Sequence, residues 1–286
     1  MNAPGGGYDT YSRGSARIMQ EKLGQDIIIK NIPGLSGLTG TIMLSRSKPD
    51  GHTIGLLDVR RRIGQEMIVD VDYDMSQFVF LGQISRDTVC YSVAGDSPFY
   101  SIEDLRAAAV ERPIRMMEGA MSAVGIIPLT EMGIPFVHVT GYEGTPQLLA
   151  GVMAGDGEIM QASLSSQLPW IEKGDVRPLF ILSDKPDPFL VEMGVECPTV
   201  VDLGFPGIAA LGSPRMVAAP PGTPDNIASV LGEALMESLE DPEFLAWAAE
   251  ADRPVVTATG AECQQVIDDL RGVFAKYEDL VAPLLQ

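Results

Sequence analysis

The stretch that decides the fold lies near the amino terminus, where residues 4–29 read PGGGYDTYSRGSARIMQEKLGQDIII. Three glycines lead directly into a segment of helical character, for which Asp9 is the expected cap and Gly24 the expected end. An apolar β-branched run from Ile27 to Ile29 follows and predicts a strand that ends near Asn31. A loop, a helix and a strand in this order are typical of an α/β protein.

Outward from this stretch, helix and strand signals alternate along most of the chain. One predicted helix has Thr145 as its cap and Pro146 at its first position. Strands that alternate with helices favour parallel βαβ units. Two such units are expected, and a last section from about Met216 adds one strand and several helices. The predicted strands cover residues 27–31, 53–59, 78–84, 89–94, 114–117, 136–139, 158–161 and 178–182.

The composition is that of a folded globular protein. The chain has 286 residues, of which 45% are hydrophobic and 21% charged, and these values exclude a disordered tail, a collagen-like repeat and a coiled coil. No apolar stretch approaches the roughly 18 residues that span a bilayer, so direct membrane insertion is not expected. The three cysteines are widely spaced and only two histidines occur, so neither a metal site nor a cofactor is predicted.

Charge is distributed unevenly along the chain. The formal net charge is −19, from 39 acidic residues against 20 Lys and Arg. Residues 1–95 carry ten charges of each sign, which leaves 29 acidic against ten basic residues in the remainder. An acidic protein repels nucleic-acid phosphates and anionic membrane surfaces, so neither is an expected partner. A site for a small anion must therefore be local, and the neutral first third is the natural place for it.

The glycine loop, residues 5–7, is the strongest candidate for such a site. Free backbone amides and the positive end of a helix dipole converge at a helix start, and this suits a carboxylate or a phosphate. The alternative is a tight turn that binds no ligand. A second loop contains Gly34, Gly37 and Gly40, but their spacing is not that of the dinucleotide motif, and the chain has no phosphate-binding P-loop.

Other polar groups carry less weight. Cys90 and Cys197 are interpreted as packed thiols and His138 as a satisfied strand residue. Ser163 belongs to a polar cluster that lacks the nucleophile-elbow motif. The arginines at 60–62 are interpreted as a solvated face, or as residues at the mouth of a cleft because they follow a predicted strand. No constellation makes a convincing catalytic site, so an enzyme is not expected.

Several short motifs occur in a fixed order along the chain. They are PGGGYD at 4–9, LGQ at 23–25, KNIPG at 30–34, PDGHTI at 49–54, YEGT at 142–145, LPWI at 168–171, PTV at 198–200, GFPG at 204–207 and AAPPGTP at 218–224. Each motif alone is common, but the ordered set is specific. From Pro4 to its end the chain resembles the extracytoplasmic receptors of tripartite tricarboxylate transporters, also called the Bug family of solute-binding proteins.

The resemblance implies a type II, periplasmic-binding-protein-like α/β fold with two lobes that close like a Venus flytrap. The first lobe would comprise residues 1–95 and 213–286, and the second lobe residues 96–212. Such a receptor captures a small carboxylate between its lobes in the periplasm and delivers it to the membrane subunits of its transporter. The expected ligand-binding residues are Gly5, Gly6, Gly7, Tyr8, Asp9, Ser36, Gly119, Met121, Ser122, Thr145 and Ser163.

The chain also departs from the family pattern. The second-lobe loop, usually small and polar, reads GAMS here, so Ser122 is the surviving hydroxyl and Met121 makes the pocket more apolar. A Phe-Asp pair common before the Leu-Pro motif is replaced by residues 161–163, QAS. The first central strand, expected before the glycine loop and between residues 27–30 and 53–57, is missing together with a signal peptide. The expectation is an amino-terminally shortened receptor with a gap at that strand.

Two alternatives from other classes remain open at this point. One is a small-molecule enzyme that uses the glycine loop as an oxyanion site. The other is a cytosolic sensor with the same two-lobed fold. Turnover assays would distinguish the first alternative from a binding protein, and the presence or absence of neighbouring transporter genes would distinguish the second.

Overall fold

The computed structural model describes residues 5–68, 70–119 and 123–281. Among these residues the strands are β1 (Gly55–Asp58), β2 (Val79–Asp87), β3 (Val89–Ala94), β4 (Ile114–Met117), β5 (Phe136–Val139), β6 (Ile159–Ser163), β7 (Val176–Leu182), β8 (Ser213–Ala219) and β9 (Ala258–Thr259). The helices are α1 (Gly7–Leu23), α2 (Leu38–Ser45), α3 (Val59–Ile68), α4 (Ile102–Ala109), α5 (Ala123–Glu131), α6 (Thr145–Ala154), α7 (Leu168–Glu172), α8 (Pro188–Glu192), α9 (Asp225–Leu239), α10 (Pro242–Glu250), α11 (Gly260–Lys276) and α12 (Glu278–Val281). The α/β class expected from the sequence is confirmed.

The chain forms two compact units that differ in two places from the expected lobes. The first unit contains residues 5–87 and 213–271, and the second contains residues 88–212 and 272–281. Residues 88–95 join the second unit because β3 pairs there with β6 and β7. The residues after 271 also join it, since the hydroxyl of Tyr277 lies against Gly207.

The first unit is built on an antiparallel sheet with the strand order β1-β8-β2-β9. Its core lies between this sheet and the helices α1 and α9, where Ile18 and Met19 pack with Leu231 and Leu235. The expectation of parallel βαβ units is wrong for this unit. The reason is that β8 enters from a distant part of the chain and lies between β1 and β2, antiparallel to both.

The run from Ile27 to Asn31 is not a strand, contrary to the sequence expectation. The exposure of its side chains alternates, and Ile28 is 78% exposed, but no described strand pairs with the run. It flanks a groove of about 910 Å³ whose other wall includes Ile54 and Leu56, beside and within the edge strand β1. This groove lies between the two segments, residues 27–30 and 53–57, that the sequence analysis expected to flank a central strand.

The second unit has the strand order β5-β4-β6-β3-β7. Strand β4 runs parallel to both β5 and β6, whereas β3 runs antiparallel to β6 and β7. The stacked rings of Tyr91 and Phe180, 4.5 Å apart, lie in its core. The parallel strands bring their carboxyl ends to one edge of the sheet, and the loops at this edge carry the unit's candidate site. No helix in the described ranges is both long and apolar enough to cross a membrane.

Candidate functional site

The glycine loop leads into α1 three residues earlier than the sequence predicts. Gly6, not Asp9, is the residue that precedes the helix, and Gly24 ends it in the left-handed conformation with φ 62°, as predicted. Asp9 lies in the first turn, and its carboxylate reaches back to accept the backbone N–H of Gly5 at 3.0 Å. Helices favour an acidic side chain here because it can bond to amides that have no partner within the helix.

Asp9 is held as a carboxylate. Its second oxygen accepts a hydrogen bond from Nε of Arg13 at 2.9 Å. Burial works to raise the pKa of Asp9, but the bonds from Gly5 and Arg13 outweigh it, so the pKa lies below its ordinary value. The amide of Gly5 is thereby used within the protein. We therefore assign Gly5 and Asp9 to the support of the loop.

The next backbone donors in α1 face the start of the helix. The carbonyl of Gly6 accepts both the N–H of Thr10 at 3.0 Å and its hydroxyl at 3.1 Å, which fixes the first turn. Helix geometry leaves the N–H groups of Gly7, Tyr8 and Asp9 without an acceptor inside the helix. These donors lie at the positive end of a 17-residue helix. Together these donors can bind the two oxygens of one carboxylate.

Tyr8 connects the glycine loop to a cluster of arginines in the first unit. Its ring lies 5.1 Å from the guanidinium carbon of Arg215, which also lies 4.9 Å from the ring of Tyr11. Burial raises the pKa of the Tyr8 hydroxyl, with a further contribution from Asp58, so the hydroxyl stays protonated at neutral pH. Arg215 is fully buried and donates to Asp87 at 3.0 Å.

The arginines at 60–62 are not a solvated face. Their exposed fractions are 3%, 9% and 1%, so the structure contradicts that interpretation. They form the first turn of α3, directly after the carboxyl end of β1. The sequence signal that identifies them is the position of three arginines immediately after an apolar strand.

In the second unit, three candidate residues meet at one sheet edge. Gly119 follows β4, Thr145 begins the helix after β5, and Ser163 ends β6. Because β4 is parallel to both neighbours, these carboxyl ends lie side by side, the usual place for ligands in open α/β sheets. Thr145 is not the cap of α6, however. The cap is Gly144, whose φ of 88° a β-branched residue would not adopt.

The same edge holds a buried acidic side chain that the sequence analysis missed. Glu118 is fully buried, and its Oε1 lies 2.7 Å from Nδ1 of His138 on β5. Its carboxylate also covers the first turn of α5, where an added Cβ on Gly125 would lie 2.6 Å from Oε2. His138 lies on β5 as predicted, and its contact with Glu118 is an ion-pair distance and not a hydrogen bond. The signal available in the sequence was an acidic residue that directly follows the apolar strand 114–117.

Three predicted site residues receive little or no structural test. Met121 and Ser122 lie outside the described residues. Ser36 lies in a single helical turn, residues 35–37, which follows Gly34 with φ 120° and ends at Gly37 with φ 90°. The side chain of Ser36 is not among the described atoms. The predicted thiols are packed as expected, since Cys90 is fully buried and Cys197 packs as a free thiol against the core cluster that contains Cys90. Among the described residues, no cluster of His, Cys, Asp and Glu could hold a metal ion.

Solved structures share this architecture along nearly the whole chain. The periplasmic binding protein BugD superposes with a TM-score of 0.84 at 22% identity, covering 98% of this chain and 94% of that one. MatC from Rhodopseudomonas palustris with bound malate gives 0.80 at 20% identity, covering 95% and 96%. A second R. palustris protein, with adipate, gives 0.81 at 24% identity, covering 98% and 93%. At these identities the likeness establishes the periplasmic-binding-protein fold.

Sequence comparison identifies the family. Protein BugT of Bordetella pertussis is 28% identical over 293 residues, an alignment that covers 94% of this chain and 83% of BugT. A protein from the tcbD-tcbE intergenic region of Pseudomonas sp. strain P51 is 27% identical, with 93% of this chain and 79% of that protein covered. The model of the tripartite tricarboxylate transporter family receptor matches residues 12–276. The chain therefore belongs to the receptor family of the tripartite tricarboxylate transporters.

Proposed function

We propose that the protein is the periplasmic receptor that captures a small carboxylate and delivers it to the membrane subunits of a tripartite tricarboxylate transporter. The observation that carries this proposal is the start of α1, where the helix leaves the N–H groups of Gly7 and Tyr8 as donors for an anion. Backbone donors suit a protein with a net charge of −19, because they attract an anion locally without a favourable global field.

Structural neighbours support the ligand class. MatC was solved with malate and its R. palustris neighbour with adipate, and both ligands are small carboxylates. The family is one of receptors, which also argues against the enzyme alternative. The neutral Tyr8 hydroxyl beside the loop can donate to a carboxylate oxygen.

The proposed contacts fall into two sets. In the first unit, the backbone of Gly6, Gly7 and Tyr8 binds a carboxylate, and Ser36 contributes a hydroxyl. In the second unit, Gly119, Thr145 and Ser163 at the shared sheet edge contribute polar contacts. From the sequence, Ser122 adds a hydroxyl and Met121 an apolar contact. Gly5 and Asp9 keep the glycine loop in shape.

A thermal-shift screen over a panel of mono-, di- and tricarboxylates, followed by isothermal titration calorimetry, tests the proposal. At least one member should bind with a dissociation constant of about 1 μM or lower. A constant of this size corresponds to a binding free energy of about −8 kcal/mol. A matched panel of alcohols and amides without carboxylates should not bind. If no carboxylate binds, or if turnover of a bound carboxylate is detected, the proposed function is wrong. Co-purification with the membrane subunits of a tripartite tricarboxylate transporter tests delivery.

A further inference from the structure

One buried side chain of the second unit has no hydrogen-bond partner for either of its polar atoms. Gln161 on β6 is 1% exposed, and neither its Nε2 nor its Oε1 is paired with a donor or an acceptor in the described part of the chain. A buried carboxamide of this kind destabilises a protein, because it gives up its hydrogen bonds to water and gains none in return. Folding alone would therefore favour an apolar residue at this position.

A second buried glutamine of the same unit shows what a structural role requires. Gln167 is fully buried as well, and its Nε2 donates to the carbonyl of Cys90 at 3.2 Å and to that of Ala162 at 3.1 Å. These bonds connect β3 and β6 to the turn that follows β6. Gln161 makes no bond of this kind, so its carboxamide is not needed to hold the sheet together.

Gln161 lies next to the sheet edge that carries the unit's candidate site. Ser163, two residues further along β6, ends this strand at the edge and is partly exposed. Alternate residues of a strand project from the same face, and each residue advances the strand by about 3.3 Å. The carboxamide of Gln161 therefore lies on the same face as Ser163, roughly 7 Å further in along the strand.

The neighbours of Gln161 on both sides reach the first turn of α5. Tyr91 of β3 is paired with Gln161, and its hydroxyl donates to the carbonyl of Val124 at 3.2 Å. On the other side, the last paired residues of the parallel strands β4 and β6 are followed by Glu118 and Gln161. The carboxylate of Glu118 covers Gly125. Gln161 therefore lies under the first turn of α5, between Tyr91 and Glu118.

We infer that Gln161 binds the ligand and selects a carboxylate that also carries an uncharged group able to donate and to accept hydrogen bonds, such as a carboxamide. The inference rests on the proposed function, since it concerns the part of the same ligand that the second unit binds. A primary amide can pair with Nε2 and Oε1 of Gln161 at once. A second carboxylate only accepts hydrogen bonds, so it would leave the buried Oε1 unpaired.

Pairs of ligands with the same carbon chain test the inference. Succinamate against succinate, glutaramate against glutarate, and adipamate against adipate differ only by a carboxamide in place of one carboxylate. In isothermal titration calorimetry the monoamide of the preferred length should bind about 10-fold more tightly than its dicarboxylate, as expected for one buried acceptor left unpaired. If the dicarboxylates bind as tightly or more tightly, the inference is wrong while the proposed function stands. If neither class binds and no other carboxylate does, the proposed function itself fails.

A substitution locates the discrimination. Gln161→Met removes both polar atoms and keeps the length of the side chain, so it should weaken monoamide binding by about 10-fold or more and dicarboxylate binding by no more than about threefold. Gln167→Met is the matched control, because it makes the same change at the other buried glutamine of the unit and should leave the ratio of the two affinities unchanged. An unchanged preference for the monoamide in Gln161→Met would overturn the inference.

The ligand-free variants provide a second readout. Because Gln161 is buried without partners, Gln161→Met should raise the midpoint of thermal unfolding by roughly 2–4 °C. Gln167→Met should lower the midpoint, since it breaks two hydrogen bonds. Gln161→Leu is the second variant if the longer side chain of methionine does not fit, and the same results are expected from it. A lowered midpoint in both variants at position 161, with the preference for the monoamide intact, would show a structural role and overturn the inference.

Discussion

Gly5 and Gly6 are adjacent, but they require glycine for different reasons. Gly5 has φ 80°, where a Cβ is strained, whereas Gly6 has φ −80° and ψ 167°, which any residue adopts. Gly6→Val should therefore fold but reduce carboxylate affinity more than about 100-fold, because the side chain blocks the approach to the helix start. Gly5→Ala should instead lower the free energy of unfolding by about 1–2 kcal/mol. Titration calorimetry and urea unfolding of both variants measure these effects, and full affinity in Gly6→Val would contradict the assigned site.

Asp9 makes the stability of the loop depend on pH. Its pKa is lowered in the folded protein, so the stabilisation is fully present above its unfolded pKa and is lost as the pH falls through the folded value. Asp9→Asn should lower the free energy of unfolding by roughly 1–2 kcal/mol at pH 7 and by progressively less below about pH 4. Urea unfolding at pH 7, 4 and 3 measures the difference. The exposed Asp26→Asn is the control, and a difference independent of pH would argue against the ionised carboxylate.

At the residue scale, the sequence pattern located the important residues more reliably than it assigned their roles. The glycine loop was predicted because three consecutive glycines before a helical segment are a local signal. Asp9 was interpreted as a cap, whereas it bonds back from the third helical position, and both geometries satisfy the same orphan amides. The burial of residues 60–62 could not be predicted, since charged residues are rarely buried.

At the scale of elements, replacing a helical glycine by alanine should change the free energy of unfolding in opposite directions in α5 and α11. Gly125 in α5 faces the buried carboxylate of Glu118, which lies 2.7 Å from His138, so an added methyl group must displace this carboxylate from its contact. Gly125→Ala should therefore cost about 1–3 kcal/mol. Gly272 in α11 has no neighbour within 4 Å of an added Cβ, so Gly272→Ala should add about 0.5–1 kcal/mol through helix propensity. Urea unfolding compares the two variants. A stabilised Gly125→Ala variant would show that Glu118 lies elsewhere.

Element predictions succeeded where the pattern is local. The strands at 114–117 and 136–139 have the predicted bounds, because short apolar runs bounded by helices and turns specify them. The antiparallel sheet of the first unit was not predicted, since β8 pairs with β1 and β2 from more than 120 residues away. The run at 27–31 has strong β propensity but belongs to neither described sheet, and propensity alone does not form a strand.

At the scale of the molecule, charge and fold are separate determinants of function. The ordered family motifs identified the fold because they mark turns and helix starts along the whole chain. They gave no information on the charge of the ligand. With a net charge of −19, only a local field such as that at the start of α1 can attract an anion.

Ligand binding should stabilise the folded protein by mass action. A carboxylate present at 100 times its dissociation constant, and bound only to the native state, raises the free energy of unfolding by roughly 2.7 kcal/mol. Because the protein carries a net charge of −19, added salt also stabilises it by screening self-repulsion, so urea unfolding must be compared at equal ionic strength in chloride. The Gly6→Val variant should show the salt effect and lack the ligand effect. Equal gains from the carboxylate and from chloride, or an undiminished gain in Gly6→Val, would show that the stabilisation comes from screening and not from a site at the glycine loop.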